Sequence, residues 1–285
     1  MVFRFYRYIV LALILILAGI VIAIWQIPDR NLHLIACDVG QGDAILAVYK
    51  NIQILTDGGS DNAVLDCLGR HLPFWDREIE LVVLTHPERD HYGGLIEVFR
   101  RYKVDNFLYN NVVSGSKGYQ VLENAVGSSG ARLINPIDSP GLRLEMMQLD
   151  ILSPKQTESE VLGVQSDSGF NTLSIVTKLS LGSFDALLTG DAPPEVSDGL
   201  AQGSGINSVE YIKISHHGSK NGVTNNLLKA FDPKIAVISV GKNSYGHPHK
   251  EILDMLNKLG IRIFRTDEVG DVEVTTDGKA YWIKK

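Results

Sequence analysis

Several things are scarce in this chain of 285 residues. It has two cysteines, Cys37 and Cys67, too few for the disulfide framework of a small secreted scaffold. Both lie in apolar contexts, "LHLIACDV" and "AVLDCLGR", so buried free thiols are expected, although an oxidising compartment would let them pair. Basic residues are not in excess: the net charge is -6, which excludes a surface built to coat nucleic acid and leaves only a local basic groove open. No internal repeat and no low-complexity tract is present, so solenoid and disordered classes drop out. Hydrophobic residues make up 45% of the chain and charged residues 21%, an ordinary globular balance with length for one large domain or two small ones.

The first residues are not globular. Ile9 to Trp25, "IVLALILILAGIVIAIW", carry no charge. As a helix they reach roughly 25 Å at about 1.5 Å per residue, near the lower limit for a membrane span. Arg4 and Arg7 precede the run, and Tyr6, Tyr8 and Trp25 flank it as interfacial anchors would. No small-x-small cleavage site stands before the polar "QIPDRN". The expected organisation is a signal anchor or transmembrane helix over residues 1–27, a linker at 28–31 broken by Pro28, and a domain over 32–285. The domain is expected at the cell membrane on the extracytoplasmic side of a single pass, or secreted if the segment is cleaved.

Beyond the linker, "LHLIAC", "AILAVY", "NIQILT" and "IELVVLT" read as strands, and "LIEVFRRY" reads as a helix. The Gly-, Ser- and Asn-rich stretch from 110 to 170 ("VVSGSKG", "GSSGA", "SDSG") predicts loops, with strands or a hairpin at "LRLEMMQLDILS". "NTLSIVTKLSLG" and "SFDALLTGDA" predict a strand pair meeting near Gly182. "VEYIKISHHG" and "KIAVISVG" predict strands, and "HKEILDMLNKLG" an amphipathic helix stopped by Gly260. "IRIFRT", "DVEVTT" and "AYWIKK" close the chain as strands. Two packed sheets with helices outside satisfy this order.

Histidine is the residue that is present with purpose. Of eight in the chain, most fall in tight groups at or beyond apolar strands: His86/His91 in "LTHPERDHYGG", His216/His217 in "ISHHGS", and His247/His249 in "YGHPH". Carboxylates take equivalent places at Asp57, Glu88, Asp90 and Asp191. Singly, each has a bland explanation: a turn at Asp57, a helix N-cap at Asp191, solvated loops for the histidines. Together, imidazoles and carboxylates at strand ends are what a divalent-metal hydrolytic site requires, because loops at sheet ends converge and the ion acidifies bound water.

The order of "DVGQGDA", "LTDGG", "LTHPERDHYGG", "NTLSIV", "LLTGDA", "ISHHGS", "YGHPH" and "RTDEVGDVEV" resembles the metallo-β-lactamase superfamily, more narrowly its ComEC-like competence-protein subgroup, over about residues 32 to 284. The resemblance implies an α/β (α+β) four-layer αββα sandwich behind the N-terminal transmembrane helix. It implies two divalent ions, Zn²⁺ or Mn²⁺: His86 and Glu88 on the first, Asp90, His91 and His216 or His217 on the second (His217 slightly favoured), and Asp191 bridging. Asp90, Asp191 and His247 are the expected catalytic residues, with Asp57 orienting a ligand and Asn171, Ser219 and His249 near the substrate. Ser219, Lys220 and Lys242 are candidate phosphate contacts. Glu88 and Asn171 stand where the wider superfamily has histidines. That substitution makes the first site richer in oxygen, favours Mn²⁺ over Zn²⁺ there, and argues against β-lactam hydrolysis. The implied activity is metal-dependent hydrolysis of a phosphodiester, single-stranded DNA being the leading substrate. A small or lipid-linked ester hydrolase of the phosphocholine-esterase or lactonase kind is an alternative, as is a membrane-anchored binding module with a vestigial site.

Overall fold

The computed structural model describes residues 2–112, 114–154, 169–203 and 208–284. Helix α1 (Val2–Trp25) is apolar on every side from Ile9 onward. Its stretch Tyr6–Ile24 has mean hydropathy 2.8, is nowhere buried by the rest of the chain, and is long and apolar enough to cross a membrane.

The first sheet opens with β1 (Leu32–Ala36), β2 (Ile45–Tyr49) and β3 (Ile52–Thr56), all antiparallel neighbours. Helix α2 (Ala63–His71) then leads into β4 (Glu78–Leu84), parallel to β3. Short α3 (Arg89–Tyr92) and α4 (Leu95–Arg101) lead to β5 (Lys103–Tyr109), and α5 (Lys117–Ser129) leads to β6 (Arg132–Ile134); β4, β5 and β6 are parallel. The second sheet has two hairpins, β7 (Gly141–Leu144) with β8 (Met147–Ser153) and β9 (Val176–Leu181) with β10 (Phe184–Leu188). It continues through α6 (Pro194–Ala201), β11 (Tyr211–Lys213), α7 (Asn225–Phe231), β12 (Ile235–Ile238), α8 (Lys250–Lys258) and β13 (Arg262–Arg265). Strands β10 to β13 run parallel. After α9 (Thr266–Val269), β14 (Val272–Thr276) and β15 (Tyr281–Lys284) return to the first sheet beside β1.

The result is an eight-stranded sheet ordered β15-β14-β1-β2-β3-β4-β5-β6 against a seven-stranded one ordered β13-β12-β11-β10-β9-β8-β7. One core fills the space between the sheets, with Leu34, Ile54, Val83, Leu179, Ala186 and Val237 in it. A second lies under α2, α4 and α5, and a third under α6, α7 and α8. This is the expected four-layer αββα sandwich. The alternation seen in β15, half-buried then exposed, is that of an edge strand. The unbroken burial of β2, β12 and β14 is that of strands covered on both faces.

Three expectations need correction. The region expected to be loops contains α5, because Tyr119, Leu122 and Val126 fall on one buried face and Gly130 ends the helix at φ 76. Its serines and glycines hid that spacing. The loop expected at "SDSG" lies largely outside the described residues. A helical turn, α9, interrupts the closing strands. Finally, Cys37 and Cys67 are buried, but they are not free: they form a disulfide with Cα atoms 5.9 Å apart. The cause is tertiary, since α2 lies across the first sheet and brings Cys67 to the end of β1.

Candidate metal centre

The carboxyl ends of β3, β4, β10, β11 and β12 open on one side of the sandwich, and the loops there carry Asp57, His86 to His91, Asp191, His216/His217 and His247/His249. The turn after β4 is tight. Glu88 N donates to His86 O at 3.0 Å, and His91 N and Tyr92 N both donate to Glu88 O at 3.0 Å. Gly93 and Gly94 are required by close approach: a Cβ on either would sit 2.1 Å from Ser60 O or 2.2 Å from Gly58 O. They press this turn against the Asp57 loop, where Gly58 N donates to His91 O at 2.7 Å.

Asp57, held at φ 61, accepts from Thr85 N, Thr85 Oγ1 and His91 Nδ1, each at 2.8 Å. The carboxylate is the acceptor here, so His91 carries a proton on Nδ1 and turns Nε2 toward the site. His217 is fixed in the same way, with Nδ1 donating to the Ser239 carbonyl at 2.9 Å. Nε2 of His86, His91 and His217 is in each case buried without a hydrogen-bond partner among the described residues. Three imidazole nitrogens in this condition, aimed at carboxylates, are the donor set a divalent ion requires.

Asp191 stands at their centre. Its Oδ2 lies 3.4 Å from His91 Nε2, 3.5 Å from His217 Nε2 and 3.9 Å from His216 Nε2. Asp90 Oδ2 lies 3.4 Å from His217 Nε2. Two groups that share His91, namely His86/His91/Asp191 and Asp90/His91/His217, each place their donor atoms within 4.8 Å of one another. Both histidines of the "SHHG" turn, at φ 52 and 53, come to the site in different ways. His217 is buried beside Asp90, whereas His216 is half-buried and 3.4 Å from the amide of Asn171. Glu88 stands at the edge with its carboxylate 3.8 Å from His86 Nε2. His247 packs 5.6 Å from the His216 ring and 5.0 Å from that of His249. His249 is the N-cap residue of α8. Asp191 caps no helix, because α6 begins after Pro193. Ser219 Oγ accepts from Asn221 N at 3.2 Å within its own turn, and Lys220 pairs with Glu251 of α8 at 3.2 Å.

Two participants are absent from the sequence reading. Lys213, the last residue of β11, is 1% exposed. Its ammonium pairs with the buried Asp43, donates to Gly190 O at 3.1 Å and lies 3.6 Å from Asp191 Oδ1. A lysine inside the apolar strand "YIKIS" was the available signal for it. Asp43 lies in "DVGQGDA", where nothing local gave it a role. Burial opposes charge on all of these groups, but opposite charges outweigh it. Asp191 and Asp57 raise His91, and Asp191 and Asp43 raise His217 to about 9, so the carboxylates draw a positive charge to each Nε2, either a proton or a metal ion that displaces it. Asp90 falls to about 2 and Asp191 well below its usual range. His247 goes the other way: burial and the neighbouring histidines lower it to about 4.

This fold and donor cluster define a metallo-β-lactamase-fold protein. Solved structures of that fold superpose on most of the chain: the metallo-β-lactamase fold protein YhfI from Bacillus subtilis (11% identity, TM-score 0.53, covering 84% of this chain and 98% of that one) and a diphosphatase from the PhnP family (14%, 0.51, 86% and 98%). Zn²⁺-bound PqqB from Methylobacterium extorquens does so too (10%, 0.50, 79% and 85%). Within that fold the sequence is similar to competence proteins. ComE operon protein 3 of Bacillus subtilis is 27% identical over 83% of this chain, and Recombination protein 2 of Haemophilus influenzae is 26% identical over 92%. Competence protein ComA of Neisseria gonorrhoeae is 25% identical over 87%. The chain spans about a third of the length of each of these relatives (32%, 31% and 33%). No protein-family model matches.

Proposed function

We propose that the protein is a membrane-anchored, extracytoplasmic, metal-dependent phosphodiesterase that cleaves single-stranded DNA. The observation that carries the hydrolytic part is the buried, unpartnered Nε2 of His86, His91 and His217 around Asp191. In this reading His86 and Glu88 would hold one ion, Asp90, His91 and His217 would hold a second, and Asp191 would serve both. Bound there, divalent ions supply Lewis acidity toward a phosphoryl oxygen and an activated water. The chain does the rest. Asp57 and the Ser239 carbonyl keep the His91 and His217 protons on Nδ1 and fix both rings. Lys213 offsets the crowded carboxylates from below. Asp90, at the open side, orients the attacking water, and His247 faces the phosphate as a neutral imidazole.

The DNA part leans on the competence relatives. The location leans on Arg4 and Arg7 in the first turns of α1, ahead of its uncharged run from Ile9, and on the Cys37–Cys67 disulfide, a bond kept in oxidising compartments. The test is cleavage of single-stranded DNA by the full chain with Mn²⁺, Zn²⁺ or Mg²⁺, beside lactone and phosphocholine-ester panels. Metal-dependent cleavage that drops at least about 100-fold in Asp191→Asn is expected, since loss of groups that merely support ligands already costs 10- to 100-fold. Absence of cleavage with every metal, or equal activity in the variant, overturns the reading.

A further inference from the structure

The rim of the centre carries an aromatic side chain that the site chemistry leaves unused. Tyr245 is 70% exposed, yet its backbone is not loose. Asn243 Oδ1 accepts from Tyr245 N at 3.1 Å and from His247 N at 3.0 Å, while Asn243 Nδ2 donates to Gly241 O at 2.8 Å and His247 O at 2.9 Å. One asparagine thus ties both ends of the turn. The turn is also pinned to the metal loop: His249 N donates to Gly218 O at 2.9 Å, and a Cβ on Gly218 would sit 2.6 Å from Pro248 Cβ. The Tyr245 ring lies over His247 with centroids 5.6 Å apart and planes 28° from parallel. His247 in turn packs on His216, beside Asp191. At this exposure the other face of the tyrosine is open to solvent. Lys242, exposed in the same turn, has no ion-pair partner among the described residues.

A large aromatic face held open on a braced turn costs solvation without any packing gain, and Tyr loses little side-chain freedom on binding. Such a face receives another flat π-system. Beside a phosphodiester centre and next to a free cation, the flat group that arrives is a nucleobase.

We propose that Tyr245 is a base-stacking subsite that receives a nucleobase of single-stranded nucleic acid while a neighbouring phosphodiester lies at the His86/Asp191/His217 centre. Lys242 meets an adjacent phosphate. The proposal rests on the phosphodiesterase reading above and adds to it the group that receives an unpaired base. In a duplex the base faces are already stacked on one another, so only an unpaired strand offers one. Stacking on a bare ring face is tolerant of sequence, so every base is accepted.

The test is kcat/KM of the full chain with Mn²⁺ on a single-stranded oligonucleotide and on an oligomer of equal length with abasic tetrahydrofuran units in place of the nucleosides. The wild type is expected to favour the base-bearing oligomer about tenfold, within the range of one stacked base. Tyr245→Phe should keep that ratio. Tyr245→Ala and Tyr245→Leu should lower it below about twofold, Leu preserving apolar bulk without a stacking face. An unchanged ratio in both Ala and Leu overturns the subsite. If the wild type cleaves both oligomers equally, the subsite falls and the phosphodiesterase reading stands. If it cleaves neither, both fall.

Discussion

Lys213 is the residue whose replacement says most about how the centre is held together. It is fully enclosed, paired with Asp43 and 3.6 Å from Asp191 Oδ1. Lys213→Met keeps much of the aliphatic length and removes the charge, leaving Asp43 buried without its main counterion. Breaking a buried pair from one side typically costs about 3–5 kcal/mol. The lower end applies, because His217 Nδ1 at 3.4 Å and His91 Nδ1 at 3.9 Å still face Asp43. A loss of about 3 kcal/mol lowers Tm by about 6–12 °C in a domain of this size. The assay is thermal unfolding of the full chain in detergent with a chelator present, so that bound metal does not mask the effect. The second arm is Lys213→Met/Asp43→Leu. Removing both charges leaves neither member of this pair unmatched, so the double variant should be more stable than Lys213→Met alone, with a coupling of about 1–3 kcal/mol. Strictly additive losses would refute the view that Asp43 and Lys213 stabilise each other.

Other outcomes follow from the same geometry. The Cys37–Cys67 bridge closes a loop of 30 residues, for which chain entropy gives about 3.5 kcal/mol; the double alanine variant should melt about 7–14 °C lower, and two thiols titrating in the unreduced native protein would contradict the bridge. Glu88→Ala should reduce the metal content of purified protein from two ions to one by mass spectrometry, and an unchanged count removes Glu88 from the centre. At the opposite end of β1, hydrogen bonding to His33, against burial, with Lys284 beside it, lowers Glu273 from 4.5 to about 2. Its stabilisation is therefore complete above pH 4.5 and lost as pH falls toward 2. His33 is raised above 6.5, so its share is complete below pH 6.5 and lost on the alkaline side. Tm measured from pH 8 to pH 2.5 should fall at both ends, and Glu273→Gln should flatten the acid limb; an unaltered acid limb counts against this pair.

The sequence by itself determined whatever depends on neighbours along the chain. A run from Ile9 to Trp25 without a polar residue admits only an apolar helix. The buried strands ending at Asp57, His86 and Asp191 were visible because apolar runs terminate in residues that no core accepts. Gly182 and Gly260 were legible because the chain reverses or stops there with φ 60 and 71. The donor inventory was legible too, since imidazoles and carboxylates at strand ends have little else to do in such numbers.

Only the tertiary structure decided which groups meet. Cys67 finds Cys37 because α2 crosses the sheet, and local apolar context favoured two free thiols instead. Lys213 reads as a flaw in a strand until β11 is packed so that its ammonium falls between Asp43 and Asp191, residues far apart in the chain. His216 and His217 are equivalent on paper. The left-handed turn they share sends one into the core beside Asp90 and the other to the rim beside Asn171. Periodicity and composition are local, whereas a buried charge is tolerated only where a distant partner arrives to balance it.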